Sequence, residues 1–271
     1  MPSLPERLFA ALTRASAVVV AAVPLAVVGV LAWTGIGGAL APHLAPPIVG
    51  LAQTASFTLA VVATAAIVGG AVGVGCAIAA EELAPAAFRA AIEAAIGFLA
   101  AMPAVAIGWF AAYAVAPFSE AHSLGRASQF VAAAVVLAAM TAPTACGLVT
   151  RALRRVPDAM RQAAGAAGAS RLQTTALVIV PALGRRIAAA VLASFARAIG
   201  EATALQMLFF ALYRHGFAPA STTASLLFEK AAFGLLATTF PAASLAALAL
   251  LAVAAGCSII VSREYRGMQW A

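Results

Sequence analysis

The chain has 271 residues, 64% of them hydrophobic and 9% charged, with a mean hydropathy of +1.03. Soluble domains hold roughly 45–50% apolar and about 25% charged residues, so a soluble globule lacks the interior to hide this much apolar surface. Disorder needs low hydrophobicity and a disulfide scaffold needs more than three Cys; both are excluded, which leaves an all-α polytopic membrane helix bundle.

A helix needs about 20 mostly apolar residues to cross a hydrocarbon core of roughly 30 Å. Six stretches qualify in chain order: Ala15–Trp33, Phe57–Ala80, Ala94–Pro117, Phe130–Val149, Ile187–Leu212 and Pro241–Ser262. They are long, rich in Ala and Leu, and lack the alternation of barrel strands. The predicted organisation is a tail over 1–14, a transmembrane domain over 15–262 and a second tail over 263–271. The first run, with Arg7 and Arg14 ahead of it, is near 19 residues long and shows no convincing cleavage site, so it is expected to stay as a helix rather than act as a signal peptide.

The net charge of +7 is unevenly placed. Arg7, Arg14, Arg89, seven arginines between Arg151 and Arg186, Arg263 and Arg266 fall on one side, against Arg126, Arg214 and Lys230 on the other, twelve to three, with Arg197 inside a span. The positive-inside rule puts both termini in the cytoplasm. The basic balance is therefore an orientation signal and calls for no nucleic acid.

Within the spans, Gly69 and Gly73 form a small-xxx-small pair that suits close helix approach. Cys76, Cys146 and Cys257 read as small hydrophobes in helix packing. Residues 34–55, with Gly35, Gly37, Gly38, Pro42, Pro46 and Pro47, and residues 213–240 read as external loops. His43, His122 and His215 are scattered over external segments without metal-ligand spacing, and no nucleophile–base constellation is visible, so neither a metal nor an enzyme active site is expected.

The longest connection, Thr150–Arg186, reads as helix rather than coil. Ala159–Ala169 is built from good helix formers, Gly165 and Gly168 weaken or end that helix, and Leu172–Val180 is a second apolar run closed by Pro181. An interfacial element anchored by arginines would also fit this composition.

The fifth span holds Arg197 and Glu201, with Ser194 and Thr203 nearby. Each intramembrane charge costs a few kcal/mol, about 2.5–3.5 for Arg at the centre. On one helix, i and i+4 share a face and can pair; the pair is then either a neutralised structural contact or a substrate site or gate. A guanidinium offers a fork of donors matched to a tetrahedral oxyanion. A carboxylate accepts a hydrogen bond only from a protonated ligand, which favours hydrogen phosphate over sulfate or molybdate.

Three motifs carry a family resemblance. Gln162-Ala163-Ala164, Gly168 and Val180-Pro181 resemble, in register, the Glu-Ala-Ala…Gly…aliphatic-x-Leu-Pro loop of bacterial ABC-importer permeases, with Gln162 in the usual Glu position and Val180 in that of Leu. Ala196-Arg197-Ala198-Ile199-Gly200-Glu201 resembles the Arg-Ala-x-Gly-Glu signature of oxyanion permeases, and Met102-Pro103-Ala104-Val105-Ala106-Ile107-Gly108 is similar to the Pro-Ser-Val-x-x-Gly segment of phosphate permeases, with Ala104 for Ser. The chain thus resembles a phosphate ABC transporter permease over roughly residues 56–210, closer to the C-type than the A-type partner.

The resemblance implies a type I importer permease fold and phosphate translocation by alternating access, with Arg197, Glu201, Thr203 and Ser194 along the route. It implies that Gln162, Ala163, Ala164, Gly168 and Pro181 couple to a cytoplasmic ATPase dimer. A second related permease or a second copy of the chain, and an extracytoplasmic phosphate-binding protein, complete the implied assembly. The chain's one Lys, Lys230, follows Glu229, so it holds no G-x-x-x-x-G-K-[ST] loop; ATP would be used by the partner, with no cofactor bound here. Molybdate, tungstate or sulfate as substrate, and a non-transporting scaffold, are the alternatives.

Overall fold

The computed structural model describes residues 4–39, 48–122, 126–201, 203–214 and 240–266, and the described residues are almost entirely helical. Four helices are long and apolar enough to cross a membrane unaided: α1 (Leu4–Ala39), α2 (Ile48–Ile78), α5 (Arg126–Leu153) and α11 (Phe240–Arg266). Between them lie α3 (Ala86–Ala101), α4 (Ala104–His122), α6 (Asp158–Ala166), α7 (Arg171–Thr174), α8 (Val180–Ala182), α9 (Gly184–Ile199) and α10 (Thr203–Arg214). Two bent pairs, α3 with α4 at 101° and Arg171–Ala182 with α9 at 71°, bring the possible spans to six.

Two expected spans are not single helices. Ala94–Pro117 is broken at Met102, whose extended backbone (φ −66°, ψ 132°) is what a following proline demands. Ile187–Leu212 is broken between Ile199 and Thr203: α9 closes with tight bonds from Gly200 N–H to the Arg197 carbonyl and from Glu201 N–H to that of Ala198. α1 starts at Leu4 and α11 runs on to Arg266, so the described residues of the expected tails are helical. α1 and α2 also reach into the expected loop over 34–55, while residues 215–239 of the second expected loop lie outside the described residues.

The bundle centres on the contact between α2, which carries the Gly69 and Gly73 pair, and α5. A Cβ at Gly69 would strike the Ala138 backbone and the Thr141 hydroxyl; one at Gly73 would strike the Ala142 carbonyl, the Ala145 Cβ and the Cys146 nitrogen. The two backbones therefore touch where a side chain would otherwise stand. One apolar cluster joins α2, α4, α5, α9, α10 and α11 through Val61, Leu137, Leu205 and Leu208; a second, toward the arginine-rich end, holds Val149, Leu153, Ile179 and Leu183. α1 lies outside both, its apolar face uncovered, meeting α11 where Thr34 donates to Ser244 Oγ at 3.1 Å.

Candidate functional site

The stretch between α5 and α9 folds as a helix–turn–helix, and its sequence explains each corner. α6 ends in a Schellman motif: Ala169 N–H donates to the Ala164 carbonyl and Gly168 N–H to that of Gly165. Gly168 sits at φ +85°, where a side chain is disfavoured. Ser170 then caps α7, accepting from Gln173 N–H at 3.3 Å while the Gln173 side chain accepts from Ser170 N–H at 2.8 Å. The next turn, Thr175–Ile179, is π-helical and runs straight into Val180-Pro181. Widening the helix there keeps the Pro181 ring off the carbonyl four residues earlier.

Gln162 and Ala163 of α6, Gly168 at the turn and Pro181 in α8 are exposed, and Ala164 is half-buried. Leu172 and Leu177 on the second arm are 63% and 73% exposed, two large apolar side chains left uncovered on this chain. The sequence reading marked the run Leu172–Val180 that holds both, but gave neither leucine a role.

The same end of the bundle holds a charge cluster that sequence reasoning missed. α2 closes in a π-helical turn, Ala79–Leu83, in which Glu81 and Glu82 are adjacent. Glu82, 5% exposed, accepts from Arg161 of α6 at 2.7 Å and 3.4 Å through its two oxygens. Arg161 also donates to the carbonyls of Leu153 at 3.2 Å and Val156 at 2.8 Å. Glu81 takes the other direction, pairing with Arg154 at 2.7 Å, while Arg89 donates to the Ala80 carbonyl at 2.7 Å. The bond to Glu82 holds the Arg161 guanidinium pKa above its ordinary value, as the bond to Glu81 does for Arg154. The readable signal was two of the chain's nine acidic residues lying together at its arginine-rich end.

At mid-bundle the structure separates what the sequence placed on one helix. Arg197 lies in the last turn of α9, about 20 Å along the helix axis from Gly184 at about 1.5 Å per residue. Glu201 lies beyond the helix end, half-buried, so the expected i, i+4 face does not exist. The Arg197 side chain is exposed on this chain and lines an open hollow of about 500 Å³ with Thr144 of α5 and Ser258 and Ser262 of α11. Ser258 and Ser262 donate to the carbonyls of Ala254 at 2.9 Å and Ile259 at 2.8 Å. Their lone pairs are what they offer the hollow.

Ser194 is fully buried, its hydroxyl within 3.3 Å of the carbonyls of Thr141 and Ala190; in this conformation it joins α9 to α5. Thr203 opens α10, and its side chain lies outside the described residues. Gly108, in the third-span motif, faces the Ala204 backbone so closely that no Cβ would fit. The motif after Pro103 and the motif around Glu201 are thereby brought together. No group of three or more metal-ligating side chains occurs among the described residues.

No family model matches the chain. It is 32% identical over 152 residues to the probable ABC transporter permease protein YqgH of Bacillus subtilis (strain 168), a match covering 56% of this chain and 49% of that one. The chain thus spans about half the length of the curated relative it matches. Its fold is similar to a chain of the MetNI methionine ABC transporter in an inward-facing conformation, with a TM-score of 0.60 and 16% identity over 81% of this chain and 96% of that one. The protein shares its fold with that ABC transporter chain, and over 56% of its length its sequence is similar to a probable ABC transporter permease.

Proposed function

We propose that the protein is a membrane permease subunit of an ATP-driven importer that moves inorganic phosphate by alternating access. The observation that carries this reading is Arg197, an exposed guanidinium about 20 Å along a broken helix, beside an open, mixed hollow that also holds Thr144, Ser258 and Ser262. A charge at that depth is too costly against acyl chains and belongs beside water, a partner helix or a ligand. Breaks in the α3–α4 and α9–α10 spans suit irregular backbone that lines a cavity.

Hydrogen phosphate fits the hollow by donor count. Arg197 supplies donors only, and Ser258 and Ser262, with their protons spent on their own helix, accept from the ligand's O–H. Sulfate and molybdate at neutral pH carry no such proton. Glu201, near the break, gates or adjusts the route, with Thr203 following it and Ser194 holding α9 in place.

The basic end faces the cytoplasm of a bacterial inner membrane, with both termini there. Gln162, Ala163, Ala164, Gly168 and Pro181 present the helix–turn–helix to the cleft of a separate ATPase, with Leu172 and Leu177 as its apolar anchors. Two ATPase copies, a second permease or a second copy of this chain, and an extracytoplasmic phosphate-binding protein complete the assembly. The chain itself is neither an enzyme nor a cofactor carrier.

The test is ATP-dependent uptake of radiolabelled phosphate into vesicles holding the assembled transporter. Arg197→Ala is expected to abolish uptake with assembly intact; wild-type uptake refutes the site. Competition by sulfate or molybdate as strong as by unlabelled phosphate would reassign the substrate to another oxyanion.

A further inference from the structure

The Glu82–Arg161 pair is built unlike an ordinary surface ion pair. Glu82 stands on the π-helical turn that follows α2 and Arg161 on α6, 79 residues later. The carboxylate side chain is 6% exposed and takes both of its oxygens to one guanidinium. The same guanidinium satisfies the Leu153 carbonyl at the end of α5 and the Val156 carbonyl beyond it, and approaches Asp158 of α6 at 3.3 Å. One side chain therefore ties the ends of two central helices to the first arm of the helix–turn–helix.

Little else holds that arm. α6 buries no residue fully, and Met160, half-buried against the lower cluster, is its one apolar anchor there. The second arm is differently held, by buried Thr174, Thr175 and Ile179. The π-helical turn is what turns Glu82 inward while its neighbour Glu81 reaches Arg154.

Resting on the importer reading above, we infer that Glu82–Arg161 is the joint that carries movement of the docked loop into α2 and α5. A push on α6 that reached the bundle through Met160 alone would be absorbed by a flexible side chain with three rotatable bonds. A two-pronged guanidinium–carboxylate contact fixes both distance and orientation. Lysine keeps the charge but not the fork, so it loosens the joint without leaving Glu82 uncompensated.

The experiment uses the full chain with its co-purifying ATPase in proteoliposomes. Cys76, Cys146 and Cys257 are replaced by alanine and Gly200→Cys supplies a reporter at the α9–α10 break. A side chain is accommodated there, since a Cβ at 200 would meet only the Arg197 carbonyl oxygen at 3.8 Å. Maleimide labelling of the reporter is timed with and without ATP and vanadate, beside the rate of ATP hydrolysis.

In the parent, ATP is expected to change the labelling rate about tenfold, within the usual range of coupling between sites. Arg161→Lys and Glu82→Gln are expected to retain the ATPase and its hydrolysis while the labelling change collapses. Arg154→Lys, which loosens only the exposed neighbouring pair, keeps it. A full labelling change in Arg161→Lys overturns the joint. So does loss of the ATPase from both variants, which would make the pair part of the docking surface. A parent that retains no ATPase overturns the importer reading, and the joint with it.

Discussion

Replacing Gly73 by alanine tests the α2–α5 contact on which the whole bundle is hung. An added Cβ would lie 2.9 Å from the Ala145 Cβ and 2.9 Å from the Cys146 nitrogen, and closer still to the Ala142 carbonyl. Ordinary contact begins at 3.4 Å, so the helices must part by about 0.5 Å to relieve these two contacts and by more to relieve the Ala142 carbonyl. A gap of 0.5–1 Å forfeits about a quarter to a half of the dispersion well for every atom pair along the seam. Overpacking of this kind costs about 1–3 kcal/mol. Gly75, two residues on, has nothing within 4 Å of its would-be Cβ. Both substitutions gain the same helix propensity, up to about 1 kcal/mol over glycine. The difference between Gly73→Ala and Gly75→Ala therefore isolates the packing cost, and is expected at about 1–3 kcal/mol. The assay is SDS titration of the purified chain in mixed micelles, followed by circular dichroism. If Gly73→Ala matches or exceeds Gly75→Ala in stability, the close α2–α5 approach is refuted.

Other outcomes follow from the same contacts. Gly168→Ala meets no atom within 4 Å yet is forced to φ +85°, so it is expected to cost about 1–2 kcal/mol from backbone alone and to quicken proteolysis of the α6–α7 turn. Ser170→Ala removes the cap of α7 and is expected to cost about 1 kcal/mol, read as faster amide exchange at Gln173. Arg161→Ala leaves Glu82 buried and unpaired, a loss of about 3–5 kcal/mol, whereas Arg154→Ala, 58% exposed, costs under about 1 kcal/mol; equal losses in thermal unfolding would contradict the burial difference. Because the bond to Glu82 raises the Arg161 pKa, the stability it lends is complete below the unfolded value and is lost only as pH rises past the folded one. Amide protection of α6, corrected for intrinsic exchange, should therefore be flat between pH 7 and about 10, below the arginine range.

The structure also sets limits on reading function from spacing. Arg197 and Glu201 are four residues apart in sequence, and a continuous helix would have stacked them. The helix ends between them, and Arg197 lines a hollow with Thr144 of α5 and Ser258 and Ser262 of α11 instead. Gly108 was legible only as a motif letter; its work is to bring α4 against Ala204, next to the break.

Composition and the run lengths of apolar residues determined by themselves that the chain is a helix bundle of membrane type, because hydrophobic burial is decided by transfer free energy and not by partner. The helix–turn–helix was equally legible, since glycine at φ +85° and the Ser170–Gln173 cap act within a few residues of themselves. Tertiary structure decided the rest. Pro24 and Pro143 lie inside unbroken α1 and α5, whereas at Pro103 the chain turns by 101° between α3 and α4; identical local chemistry resolves differently according to what each helix packs against. The Glu82–Arg161 contact depends on folding together residues 79 apart, and no pattern along the chain encodes which of several arginines a buried carboxylate will meet.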